Sequence, residues 1–163
     1  MYETLRLLSF GDAGWGDEIL AGLQVTVSLF LASLPFGIIL GFLIALSKRS
    51  KNRLVSFAGN VYTTVFRGLP ELLTLFIIFY GGQMIVQRLV DLFSTGVAVD
   101  LNAFVAGMIA LSLVFSAYAS EAFLSAFAGI PPGQEEAAFA LGLSRLKTLR
   151  LVIFPQLVRL ALP

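Results

Sequence analysis

Few residues in this sequence could do chemistry. It holds no Cys and no His, which removes thiol nucleophiles, most zinc sites and the usual general base. Carboxylates, Lys, Tyr and Ser remain, but none falls into a spacing that pairs a nucleophile with its base. No catalytic residue, metal ligand or cofactor is therefore expected. What stands out is charge embedded in apolar sequence: Arg67 and Glu71, four positions apart, and Glu121 at the end of a long uncharged run. On a continuous helix such a four-residue spacing puts both groups on one face. Arg67 and Glu71 then either neutralise each other at a membrane edge, or line a polar route and brace a neighbouring subunit. Ionisable groups at membrane depth point to function by default. Glu121 has the same two readings, interfacial placement or a role in a translocation path and its gating.

The elements that must position these groups are membrane helices. Of 163 residues, 58% are hydrophobic and 13% charged, with a mean hydropathy of +0.90. Soluble domains average about 45–50% apolar and about 25% charged residues, so lipid is the expected solvent. A formal net charge of +1 offers no basic field for nucleic acid. Residues 1–18 carry Glu3, Asp12, Asp17 and Glu18 against Arg6, unlike the positive start of a cleavable signal peptide. Residues 19–47 are uncharged, and about 20 apolar residues cross the hydrocarbon core. Pro35, Gly37 and Gly41 are tolerable there, because neighbouring helices re-satisfy the backbone and pack closely. A second apolar region, 54–90, is interrupted by Arg67 and Glu71. Its spanning helix is expected to start before Pro70 and to carry the interruption near one end. A third run, 101–120, is again uncharged. The aromatics of residues 76–80 read as packing or lipid contact rather than a ligand cage, and Gly81-Gly82 as a point of close helix approach.

Orientation follows from the Lys/Arg bias. Lys48, Arg49, Lys51 and Arg53 follow the first span, Arg88 with Asp91 and Asp100 follows the second, and Arg145, Lys147, Arg150 and Arg159 follow the third. Basic, poor and basic segments alternate, so the N-terminus is expected outside, with Tyr2 and Trp15 at the outer interface. After the turn signal Pro131-Pro132-Gly133, residues 135–143 read as a short helix with Glu at its start and Gly142 near its end. Ser144 then N-caps a second short helix that Phe154-Pro155 stops.

Glu136-Ala137-Ala138, then Gly142, then Val152-Ile153-Phe154-Pro155 resembles the cytoplasmic loop of bacterial ABC importer permeases. Val and Phe stand for that pattern's Ile and Leu. Tyr62-Thr63-Thr64, Arg67-Gly68-Leu69-Pro70-Glu71, Ile78-Phe79-Tyr80-Gly81, Ala117-Tyr118 with Glu121, and Ile130-Pro131-Pro132-Gly133-Gln134 resemble the polar amino acid uptake branch. Within it the chain is most similar to permeases for histidine, lysine, arginine and the opines octopine and nopaline.

The resemblance implies an all-α integral membrane protein, a polytopic helical bundle of the type I ABC importer permease kind. Residues 1–18 form an external segment and 19–163 the permease domain, with spans at about 19–47, 65–87 and 101–121. A coupling loop covers 130–155, and a further helix starts over 156–163. The family has more spans than this, so the chain is expected to be C-terminally truncated. Also implied are the bacterial inner membrane, a separate ABC ATPase subunit, a second permease subunit (homologous or identical) and a periplasmic amino-acid-binding protein. Glu136, Ala137, Ala138, Gly142 and Pro155 would dock the ATPase, while Arg145, Lys147 and Arg150 mainly set topology against lipid phosphates. Arg67, Glu71 and Glu121 would line the path or brace helices. The rival reading is an inactive or non-transporting membrane subunit that only docks an ATPase. A secondary transporter fits less well, since nothing resembles an inverted repeat or a proton relay.

Overall fold

A computed structural model describes residues 9–11, 14–93 and 102–161. Every regular element among them is helical: α1 (Gly16–Lys48), α2 (Arg53–Gly68), α3 (Glu71–Phe76), α4 (Gly82–Phe93), α5 (Ala103–Ala128), α6 (Gly133–Ala140), α7 (Arg145–Thr148) and α8 (Phe154–Ala161). Wider π-helical turns, Ile77–Gly81 and Leu149–Ile153, join α3 to α4 and α7 to α8. Three stretches are long and apolar enough to cross a bilayer: Gly16–Lys48, Glu71–Leu92 and Ala103–Ala128. Much of the expected external segment, Tyr2 included, lies outside the described residues, as does Asp100.

The bundle is built on α1 and α5. Small residues one turn apart on α1, Ser33, Gly37, Gly41 and Ala45, are buried, and α5 answers with Ala106, Ala110, Ser112, Ser116, Ala117 and Ser120. Lipid tails give no hydrophobic drive for two helices to meet, so close backbone approach over small side chains supplies the attraction. A methyl group at Gly41 would sit 2.8 Å from the Ala119 Cβ and 2.9 Å from the Ser116 carbonyl oxygen; one at Gly37 would strike the Phe115 ring. The Ser112 hydroxyl reaches the Ser33 carbonyl at 3.2 Å. Contacts advance in step along both helices, Leu29 with Gly107, Gly37 with Phe115, Gly41 with Ala119 and Lys48 with Glu121. The two helices therefore run parallel, and residues 48–53 and 129–135 emerge at the same end.

The second apolar region is not one helix. α2 ends at Gly68, Leu69 and Pro70 are extended (ψ 139° and 136°), and α3 restarts at Glu71. Proline disfavours helix in the residue before it and cannot donate to a preceding turn, so the break falls at Pro70 rather than inside one end of a span. α2 is amphipathic in an inverted sense. Gly59, Tyr62 and Thr63 pack inward, while Leu54, Phe57, Val61 and Val65 are exposed.

At the shared end, α6 closes with a Schellman arrangement. Leu143 N–H donates to the Ala138 carbonyl (3.1 Å) and Gly142 N–H to the Phe139 carbonyl (2.9 Å), with Gly142 at φ +78°. A residue with a Cβ is strained in that left-handed region. Pro155 does not stop the following helix as expected. The π turn Leu149–Ile153 leads straight into α8, widening the ladder just where the proline ring removes a donor. Ser144 occupies the N-cap position of α7, yet its side chain makes no capping bond. α8 folds back onto α1 and α5, where Ala45, Ala126, Phe127, Ile130, Ile153 and Leu157 form a buried core. Phe42 is its hub, with ring centroids 5.6 Å from Phe123 and 5.7 Å from Phe154.

Candidate functional site

Glu121 sits two turns before the end of α5, where that helix meets the last turn of α1. Its Oε1 lies 2.5 Å from the Lys48 Nζ and 3.4 Å from an Arg67 nitrogen. Lys48 also donates to the Thr63 hydroxyl (3.2 Å), which itself donates to the Asn60 carbonyl (3.0 Å). The Lys48 side chain is 8% exposed, Glu121 32% and Arg67 46%. One carboxylate thus serves cations from two helices, one pairing short and sheltered, the other longer and half in solvent. Arg67 extends over the Tyr118 ring at 5.5 Å. Tyr62 steadies α2 beside it, its hydroxyl bonding the Leu113 carbonyl (3.0 Å) and the Ser116 hydroxyl (2.8 Å).

Sequence spacing puts Arg67 with Glu71; the structure separates them. Arg67 ends α2 and turns to Glu121, whereas Glu71 opens α3 and faces another space. That space is a cavity of about 410 Å³ between α1, α3 and α5, lined by Thr26, Phe30, Ser33, Glu71, Phe115 and Tyr118 with leucines and a valine. Among the described residues, Glu71 makes no ion pair or hydrogen bond. Glu71 is itself exposed, so its charge stands at the edge of a largely apolar, partly aromatic cavity. Lys48 was legible only as a topology-setting charge; its partner lies 73 positions away, and no local pattern reports that.

The α6 segment presents Glu136, Ala137, Leu141 and Gly142 outward, Leu141 at 82% exposure. Ala138 is different: it is buried within this chain and its carbonyl accepts the Leu143 N–H of the α6 closure. Pro155 is exposed on the first turn of α8. Arg49 ties the two loops of this end together, over the Phe127 ring at 4.1 Å and 3.9 Å from Glu135.

Parallel apolar spans with a loop helix at their common end can be set beside known proteins. The family model described as the binding-protein-dependent transport system inner membrane component matches residues 34–163. The chain belongs to this family. It is 42% identical over 160 residues to the nopaline transport system permease protein NocQ of Agrobacterium fabrum, covering 98% of this chain and 68% of that protein. To the histidine/lysine/arginine/ornithine transport system permease protein HisQ of Escherichia coli it is 37% identical over 150 residues, covering 92% and 65%. The crystal structure of an amino acid ABC transporter with histidines matches at 29% identity with a TM-score of 0.62, over 90% of this chain and 66% of that one. The chain therefore spans about two thirds of the length of these relatives. The fold is an all-α, polytopic inner-membrane bundle of the ABC importer permease kind.

Proposed function

We propose that this chain is the membrane-spanning permease subunit of an ATP-driven importer, passing a polar, cationic amino acid or opine across the inner membrane. ATP hydrolysis resides on a separate ABC ATPase subunit, coupled through residues 136–142. A second permease subunit completes the membrane path, and a periplasmic amino-acid-binding protein delivers the ligand. The observation that carries the reading is the outward face of α6. Glu136, Ala137 and Leu141 stand exposed on a helix segment fixed by its own C-terminal closure, while Glu135 meets Arg49 at the end of α1 and the Phe42–Phe154 contact ties the following α8 to the spans. A partner seated there can move α1 and α5 as a body, the rigid motion that alternating access needs. Small side chains admit a close neighbour and Glu136 offers a charge-assisted contact. The Glu71 cavity supports a route for a cationic ligand, and Arg67 and Glu121 brace its inner end.

The experiment is purification of the full transporter carrying Glu136→Arg or Gly142→Asp. Both variants are expected to insert normally, lose the ATPase on co-purification and lose uptake. Normal uptake in both removes the coupling assignment. ATPase co-purification with the wild type but no uptake of any amino acid or opine favours the rival reading of a docking subunit. The external N-terminus is part of the proposal: residues 48–53 and α6 lie at the same end of the parallel α1 and α5, and the Lys/Arg bias supports taking that end as cytoplasmic. A Ser50→Cys protein, otherwise free of cysteine, should resist an impermeant maleimide in intact cells. External labelling would reverse the orientation.

A further inference from the structure

We infer that Arg67 is a releasable latch: by leaving Glu121 it frees α2 and α3 to move about Leu69 and Pro70 and widens the Glu71 cavity. The latch regulates the cavity assigned to transport above and rests on that reading for its purpose, though not for its geometry.

The two pairings of Glu121 are unequal. Lys48 holds it at 2.5 Å with a side chain 8% exposed, and a Thr63 hydroxyl 3.2 Å away helps fix the ammonium. Arg67 approaches the same oxygen at 3.4 Å with a side chain 46% exposed. Burying a carboxylate without a counter-charge is costly, and that cost normally forbids a moving ion pair. Here it does not arise, because Lys48 keeps Glu121 neutralised when Arg67 departs. Arg67 in turn reaches solvent readily and loses only a weak, part-exposed pairing and its stacking on Tyr118. The cluster thus has a fixed half, joining α1 to α5, and a mobile half, joining α2 to α5.

What the mobile half controls follows from chain order. Arg67 is one residue from the end of α2; Gly68 has open space where a side chain would be; Leu69 and Pro70 are extended; and Glu71 begins α3 inside the cavity wall. Leu69 N–H closes α2 on the Val65 carbonyl and the Pro70 carbonyl accepts from Thr74 in α3, so each helix keeps its own bonds when the chain rotates between these two residues. Tyr118, the ring beneath Arg67, is itself part of the wall. Arg67 is therefore a positioning residue: it holds Tyr118 from behind and the α2–α3 joint from the side. Lys48 does not line the cavity.

The test uses the native absence of cysteine. Thr26→Cys places one thiol in the cavity wall, and the full transporter is labelled with a charged maleimide in membranes opened to both sides by freeze–thaw. Adding Arg67→Gln should speed labelling about fivefold, the factor a part-exposed ion pair near 1 kcal/mol is worth. Arg67→Lys should return the rate most of the way to that of the parent. An unchanged rate in Arg67→Gln overturns the latch, and so does equal acceleration by Arg67→Lys, which would indicate loss of shape rather than of the ion pair. Uptake is measured on the same preparations without the Thr26 change. A parent that transports nothing, yet whose labelling responds to Arg67→Gln, leaves the latch standing and sinks the transport reading. The reverse result, uptake with no labelling response, sinks the latch alone.

Discussion

Glu121 shows how much a single carboxylate can hold together in a protein with few charges in its interior. Replacing it by Gln leaves Lys48 sheltered without its counter-ion. Losing one partner of a fully buried pair costs about 3–5 kcal/mol, and the partial exposure of Glu121 reduces this, so about 2 kcal/mol is expected. Thermal or denaturant unfolding of the detergent-solubilised protein measures it; a loss below that of Arg67→Gln would contradict the ranking of the two pairings. Thr148 makes the opposite case. Its hydroxyl is buried with no hydrogen-bond partner among the described residues, and an unsatisfied buried hydroxyl is a net cost. Thr148→Val keeps the shape and should raise stability by about 1 kcal/mol in the same unfolding assay. A fall would mean that the hydroxyl is satisfied by something else. None of this was legible from spacing. Arg67 and Glu71 look like a local pair because they lie four apart, but Pro70 turns the helix off between them. The true partner of Arg67 shares no segment with it.

At the scale of elements, packing quality depends on what is missing. Gly41 has backbone and a methyl group within 3 Å of where its own side chain would be, so Gly41→Val must push α1 off α5. Overpacking of this kind costs about 1–3 kcal/mol; the variant should reach the membrane but unfold at lower temperature, and an unshifted midpoint would refute the close approach. Gly142→Ala tests a different property, since space is open there and only φ +78° forbids a side chain. A loss of about 1 kcal/mol in local stability is expected, seen as faster hydrogen exchange over residues 133–143 and little change elsewhere. The long α1 was readable because residues 19–47 lack charge, and the small residues on it announced a close neighbour. The two wide turns were not readable. One precedes Pro155 and the other ends at Gly81. Nothing lies within 4 Å of a side-chain position at Gly81, so the close helix approach expected there is not made. Each turn lets a helix continue where proline and glycine look like stops.

The whole molecule joins its spans to its loop helix at one end. Phe42 touches rings from α5 and α8, and Arg49 bridges to Phe127 and Glu135, so displacement of α6 reaches α1 directly through Arg49 and, by way of α7 and α8, through Phe42. Removing both, with Phe42→Ala and Arg49→Ala together, should preserve ATPase docking while lowering the amount of uptake per ATP hydrolysed. Retained coupling in the double variant would mean that force travels by another path. That the chain is a helical membrane bundle could be read from composition and apolar runs, and its family from motifs scattered over most of its length. That α1 and α5 run parallel already follows from the alternating basic segments; what the sequence could not convey is their register, which sets Gly37 against Phe115 and Gly41 against Ala119. Ala138 illustrates the same limit, since its burial within the chain is not marked in the motif that contains it.

The parallel register also sets an order of events during synthesis. Lys48 leaves the ribosome 73 residues ahead of Glu121, and the helix it terminates enters the bilayer before its partner exists. Through that interval its ammonium has only water and lipid headgroups to face, and the stripe of glycines beside it packs against nothing. The first span must therefore be retained by its own apolarity, 33 residues or about 50 Å of helix. Assembly of the pair is a later, separate step that begins when α5 arrives and closes the charge.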